Sequence, residues 1–221
     1  MNKRYKLVIF DLDGTVLDTL DDLADSVNAV LLKNHYPTHT REEICSYVGD
    51  GISLLIARAL PKATGKRERL AVLTEFKAYY ATNCAVKTAP YGGVLAMLAR
   101  LREAGVQTAV LSNKADFATQ ALCKSYFNGL FDVVAGEREA EGIPKKPAPD
   151  AVFAIMKALG LTAKDTVYVG DSEVDVQTAK NAGVDAILVS WGFRSRQALY
   201  EAGAALVVDT PDAVLQHVLG Y

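Results

Sequence analysis

The chain has 221 residues, half of them hydrophobic and 23% charged, with a formal net charge of −2. That composition is enough to bury a core and excludes a disordered chain. The charge balance leaves no basic excess for a nucleic-acid backbone or an anionic membrane, so neither is an expected partner.

In chain order, Met1 to Lys6 is basic and leads into the apolar run Leu7-Val8-Ile9-Phe10, four residues that are too few for a signal-peptide core. No stretch approaches the ~20 apolar residues of a membrane span. The run reads as a strand that stops abruptly at Asp11. Residues 18–87 then lack any convincing strand. Leu20, Leu23, Val27, Val30 and Leu31 follow helical spacing, with Thr19 and Asp22 as a predicted capping box. That pattern fails between Asn34 and Pro37, and further helices are predicted over 41–48, 52–60 and 67–82.

From Pro90-Tyr91-Gly92-Gly93 onward, short β-branched runs alternate with helical patterns. Thr108 to Leu111 ends at Ser112-Asn113, Val133-Val134 ends near Gly136, Val167 to Val169 ends at Gly170-Asp171, and Ala186 to Val189 ends at Ser190. The intervening helices are expected over 94–104, 116–126, 149–159, 174–182 and 195–202. Continuous rather than alternating apolar runs indicate strands covered on both faces. The prediction is an α/β fold, a doubly wound parallel sheet (residues 1–17 and 88–221) carrying an inserted all-helical unit (residues 18–87). Such sheets bind ligands at the carboxyl ends of their strands.

The residues that close the strands therefore matter most. Asp11 and Asp13 lie two apart in Asp11-Leu12-Asp13-Gly14-Thr15, and Gly14 lets the chain turn at once. Two carboxylates in one pocket repel each other and call for a cation or a retained proton. Read alone, the motif is also compatible with an acidic turn capping a helix. Ser112-Asn113-Lys114 offers a hydroxyl, an amide and backbone N–H groups of the kind that hold phosphate oxygens, although such residues more often cap helices. Lys145-Lys146-Pro147-Ala148-Pro149-Asp150 reads either as a solvated basic loop that opens the helix at 149 or as a segment with one lysine facing a phosphoryl group. Gly170-Asp171-Ser172-Glu173-Val174-Asp175 offers an acid to complete an oxygen-rich magnesium site, although Asp171 or Ser172 could equally cap the next helix. His35 and His39 are separated by Pro37 and lack companion ligands, so a zinc site is not expected. Cys45, Cys84 and Cys123 are odd in number and widely spaced, which fits a reducing cytoplasm.

Taken together, these four motifs resemble those of the haloacid dehalogenase-like hydrolase superfamily, in particular its phosphatases with a helical cap. Within the superfamily, Tyr47 to Leu55, Ser112 to Lys114 and Val169 to Ser172 are similar to the phosphoglycolate phosphatase group, although Ala115-Asp116 stand where that group commonly has proline. The resemblance implies a phosphoric monoester hydrolase acting through an aspartyl phosphate. It makes Asp11 the nucleophile and Asp13 the general acid and base. Ser112, Asn113 and Lys146 hold the phosphoryl oxygens, and Mg²⁺ is bound by Asp11, Asp171 and the backbone carbonyl of Asp13. Asp175 acts from behind on Lys146 or a metal-bound water. The cap would exclude water and select the leaving group, with Gly49-Asp50-Gly51 and one of Arg58, Lys114 or Arg194 as candidates for binding a substrate carboxylate. A sugar phosphate, a nucleotide or pyrophosphate is the alternative substrate. A phospho-acceptor signalling module shares the Asp, Mg²⁺, hydroxyl and lysine but lacks such an insert. A monomer or homodimer in the cytoplasm is expected.

Overall fold

A computed structural model describes residues 5–220; the basic residues 1–4 lie outside the described residues. Strand β1 (Leu7–Phe10) has all four side chains buried and is the centre of the molecule's main sheet. The chain then divides into two compact units, Met1–Leu17 with Pro90–Tyr221 and Asp18–Ala89. It leaves the first unit through the two-residue strand β2 (Leu17–Asp18).

The second unit contains α1 (Leu20–Lys33), α2 (Arg41–Tyr47), α3 (Ile52–Ala59) and α4 (Lys66–Asn83), ending at β3 (Ala89–Pro90). Helix α1 buries Leu20, Leu23, Val27, Val30 and Leu31, the apolar stripe read from the sequence. It stops where expected, and His35 adopts a left-handed φ of 59° just beyond it. Thr40 and Glu43 form a reciprocal capping box at the start of α2, with Thr40 Oγ1 accepting from the Glu43 N–H at 3.2 Å.

The capping box predicted for α1 does not form, because Thr19 makes no side-chain cap bond. Asp22 is drawn to a distant segment instead. Its buried carboxylate accepts from the N–H groups of Val86 (3.0 Å), Lys87 (2.9 Å) and Thr88 (2.8 Å). Three amide donors outweigh one local cap.

The first unit continues with α5 (Val94–Glu103), β4 (Gln107–Ala115), α6 (Asp116–Phe127), β5 (Val133–Glu137) and α7 (Asp150–Leu159). It closes with β6 (Thr166–Gly170), α8 (Glu173–Ala182), β7 (Asp185–Val189), α9 (Arg196–Glu201), β8 (Val207–Val208) and α10 (Pro211–Leu219). The six strands are ordered β5-β4-β1-β6-β7-β8, and every pairing is parallel. Leu7 and Ile9 pack with Ala109, Leu111 and Tyr168 against Val152, Ile155 and Met156 of α7 and Ala179 of α8. Val8 and Phe10 on the opposite face are equally buried, which explains why β1 reads as a continuous apolar run.

Two features depart from the sequence expectation. Strand β4 runs on through Ser112-Asn113-Lys114 to Ala115, with its register against β5 shifting between Leu111 and Ala115. The irregularity re-aims these side chains while keeping them on the strand. Strand β8 and helix α10, which the apolar pattern did not announce, complete one edge of the sheet and its covering layer. No helix among the described residues is long and apolar enough to cross a membrane.

Candidate active site

The chain enters the sheet at β1, builds outward through β4 and β5, then crosses back to β6 on β1's other side. The carboxyl end of β1 is thus a topological switch point, where an open crevice is expected. Asp11 occupies it. The Asp11 N–H continues the sheet by donating to the Val169 carbonyl at 2.8 Å. Its carboxylate Oδ1 accepts from the Leu12 N–H at 2.7 Å and from Lys146 Nζ at 2.8 Å. Oδ2 accepts no hydrogen bond from any described residue.

Asp171 follows β6 on the neighbouring strand and is fully buried. Thr15 Oγ1 donates to its Oδ1 at 2.9 Å, and the Phe193 N–H donates to its Oδ2 at 2.7 Å. Two glycines permit this fit. A Cβ on Gly14, whose φ is +85°, would lie 2.8 Å from the Asp171 carboxyl carbon, and one on Gly192 would lie 2.5 Å from Asp171 Oδ2. Trp191 Nε1 donates to the Thr15 carbonyl at 3.0 Å, so 191–193 and the Asp11 loop hold each other around Asp171.

Asp175, one turn into α8, accepts at Oδ2 from Ser172 Oγ (2.7 Å) and the N–H groups of Ser172 (3.1 Å) and Asp171 (3.2 Å). Its Oδ1 accepts from Lys146 Nζ at 2.8 Å. Lys146 therefore bridges Asp11 and Asp175, whereas Lys145 pairs with Glu139 at 3.4 Å on a more exposed surface. Asn113 fixes the lysine's backbone: Lys146 N–H donates to Asn113 Oδ1 at 2.9 Å, and Asn113 Nδ2 donates to the Lys146 carbonyl at 3.1 Å. Ser112 Oγ is buried and accepts from the Lys114 N–H at 3.2 Å. The Asp13 carboxylate turns to Lys114, whose Nζ donates to Oδ1 at 2.8 Å and Oδ2 at 3.0 Å.

The site is thus electrically lopsided. Burial pushes the Asp11 carboxyl up to about 7; Lys146 opposes this, and Asp175 and Asp13 add to it. Burial, reinforced by Asp175 and Asp11, also raises Asp171 well above the carboxylate range. Lys146 is held well above its ordinary value because Asp11 and Asp175 together outweigh the burial that disfavours its charge. Asp11, Asp171 and Asp175 offer oxygens within 4.8 Å of one another. Four carboxylates (Asp11, Asp13, Asp171, Asp175) face two ammonium groups (Lys114, Lys146), an excess that one divalent cation would neutralise. An all-oxygen donor set of this kind fits a hard cation.

The sequence reasoning missed the backbone of Phe193, the hydroxyl of Thr15 and the small size of Gly192. Trp191 and Phe193 are only partly buried and brace the site. Of the cations considered for a substrate carboxylate, Arg58 is held by Asp50 at 2.5 Å and by the Tyr47 carbonyl at 2.8 Å, and Arg194 by both oxygens of Glu173 at 2.9 and 3.2 Å.

The family model for haloacid dehalogenase-like hydrolases matches residues 8–189. The chain is 36% identical over 214 residues to a phosphoglycolate phosphatase of Pseudomonas syringae pv. tomato, covering 94% of this chain and 77% of that one. It is 35% identical over 216 residues to one of Rhodospirillum rubrum, covering 92% and 87%. A crystal structure of a protein from Lactobacillus delbrueckii subsp. bulgaricus superposes with a TM-score of 0.94 at 38% identity, covering 99% of this chain and all of the other. The chain belongs to the haloacid dehalogenase-like hydrolase family. Within it, the protein is an enzyme of the phosphoric monoester hydrolase class.

Proposed function

We propose that the enzyme hydrolyses 2-phosphoglycolate to glycolate and phosphate through a phosphorylated Asp11. The observation that carries the reaction is the Asp11 carboxylate, held at Oδ1 by Lys146 and the Leu12 N–H, with Oδ2 left to react. Oδ2 attacks phosphorus, and the ester oxygen departs with a proton from Asp13. Water then displaces phosphate from Asp11 and gives its proton to Asp13. Lys146, Ser112 Oγ and the Asn113 N–H hold the phosphoryl oxygens, and Asp175 keeps Lys146 in place from behind. Phosphoryl transfer needs mainly positioning and charge neutralisation, which this set supplies.

Mg²⁺ is the proposed cofactor, held by Asp11, Asp171 and the Asp13 carbonyl, and supplies positive charge to the phosphoryl group. Asp175 stays behind because both of its oxygens are already taken by protein donors. The substrate rests on the two phosphoglycolate phosphatases, 35% and 36% identical. The helical unit is proposed as the family's cap domain. The three cysteines, none in a disulfide, fit a cytoplasmic enzyme, which we propose to be a monomer or homodimer.

The test is phosphate release by the purified protein with Mg²⁺, comparing 2-phosphoglycolate with sugar phosphates, nucleotides and pyrophosphate, with Asp11→Asn as control. Selective turnover of phosphoglycolate, abolished in the variant, is the expected result. Preference for another ester would overturn the substrate and keep the chemistry. Turnover that survives in Asp11→Asn would overturn the nucleophile.

A further inference from the structure

Lys114 and Lys146 are the two buried lysines among the described residues. Lys146 serves the nucleophile. Lys114 does not reach it; its ammonium lies against both oxygens of Asp13, with 4% of the lysine side chain and 14% of the aspartate side chain exposed. Under the aspartyl-phosphate reading of this site, on which the inference rests, Asp13 touches the ester oxygen that leaves. A cation fixed against Asp13 therefore stands beside the first atoms of the leaving group rather than beside the phosphoryl group.

A carboxylate one carbon from the ester oxygen falls within reach of such an ammonium. A neutral alkyl chain of the same length gains nothing from it. The other two cations that could serve are committed to Asp50 and Glu173 by hydrogen bonds of 2.5–2.9 Å. Lys114 is also placed without freedom to wander. Its N–H donates to Ser112 Oγ and its carbonyl accepts from Thr119 Oγ1, both at 3.2 Å, which fix the backbone from which the side chain extends.

From this placement we infer that Lys114 is the specificity-determining residue of the core unit, binding the carboxylate of a short α-phosphorylated acid. On binding, the substrate carboxylate joins or replaces Asp13 as the partner of the ammonium. Esters with a neutral group at that position leave the Lys114–Asp13 pair as it stands. No covalent step is involved; the contact acts on binding and on the placement of Asp13.

The experiment compares kcat/KM for 2-phosphoglycolate and ethyl phosphate, which differ only in carboxylate against methyl, in the Mg²⁺-loaded wild type, Lys114→Met and Lys114→Gln. The wild type is expected to favour phosphoglycolate. Either variant is expected to lower that preference by about 10- to 100-fold, the range for a lost charge-assisted hydrogen bond. The glutamine variant keeps a polar tip toward Asp13 and serves if the methionine variant does not fold. A wild-type enzyme indifferent to the carboxylate would overturn the proposed substrate. A clear wild-type preference that survives in the variants would overturn the role of Lys114 alone. Equal losses on both esters would overturn it too, because they would show that Lys114 acts only through Asp13.

Discussion

Gly192→Ala tests whether the segment after β7 positions Asp171. The added Cβ would stand 2.5 Å from Asp171 Oδ2, with the Asp171 Cβ and the Gly14 carbonyl oxygen closer still. Non-bonded heavy atoms prefer about 3.5 Å, so something must move by about 1 Å. Gly14 cannot retreat easily, because a Cβ-free residue at φ +85° already lies against the same carboxylate. The displacement falls on Asp171 and on its bonds from Phe193 (2.7 Å) and Thr15 (2.9 Å). Overpacking of this kind costs about 1–3 kcal/mol of stability. A misplacement of about 1 Å in a catalytic group costs on the order of 10²-fold in rate. The assay is kcat at saturating Mg²⁺, together with a Mg²⁺ titration followed by the melting temperature. Gly92→Ala is the control, since nothing lies within 4 Å of a Cβ there. If Gly192→Ala keeps kcat within about threefold and an unchanged Mg²⁺-induced stabilisation, the positioning argument fails.

Asp22→Ala removes the carboxylate that accepts from the N–H groups of Val86, Lys87 and Thr88. It should cost about 3 kcal/mol in urea unfolding and speed amide exchange at Lys87 and Thr88; a loss under about 1 kcal/mol would refute the account. The Asp11 carboxyl is raised from 3.8 to about 7, so the folded protein holds its proton more tightly than the unfolded chain. This contribution to metal-free stability is complete below pH 3.8 and is lost as the pH rises to about 7. At the proposed site Mg²⁺ would compete with that proton, so its stabilising effect in thermal melts should be small at about pH 5 and level off above about 7. Asn113→Ala removes both buried bonds that clip the Lys146 backbone and should lower kcat by about 10- to 100-fold and cost about 2 kcal/mol in urea unfolding; an unchanged kcat would refute the positioning role. Lys145→Ala, which breaks only the pair with Glu139, should leave kcat within about twofold, whereas Lys146→Ala should abolish turnover; equal effects would refute the distinction.

What was legible in the chain follows from where the signals lie. A buried parallel strand must be apolar on both faces, so β1 and β6 stand out, and the polar residue ending each, Asp11 or Asp171, marks the crevice. The irregular end of β4 was not legible, because Ser112-Asn113-Lys114 has the composition of a cap while lying in a strand. Asp22 was assigned to its local helix because its partners lie 64 to 66 residues away. Phe193 acts through its backbone N–H and Gly192 through the absence of a side chain, and neither leaves a chemical mark in the sequence. The final helix did leave one. Thr210 before Pro211 is a cap followed by a first-turn proline, and Thr210 Oγ1 accepts from the Ala213 N–H at 3.2 Å.

The geometry also explains how four carboxylates in one crevice divide their work. Each is distinguished by which of its oxygens the protein has already engaged. Asp175 has both oxygens tied to Lys146, Ser172 and Asp171, so it serves as a fixed negative base for the lysine. Asp171 has one donor on each oxygen, Thr15 and Phe193, which aims it and leaves lone pairs toward a cation. Asp13 is matched by the Lys114 ammonium, and in the proposed mechanism it meets the leaving group. Asp11 is gripped at Oδ1 and bare at Oδ2. An oxygen with no donor in a pocket that raises its pKa is costly to keep as an anion, and the proposed attack on phosphorus would relieve that cost. The asymmetry between the two oxygens of Asp11 supports the proposal of that residue, rather than the other three carboxylates, as nucleophile.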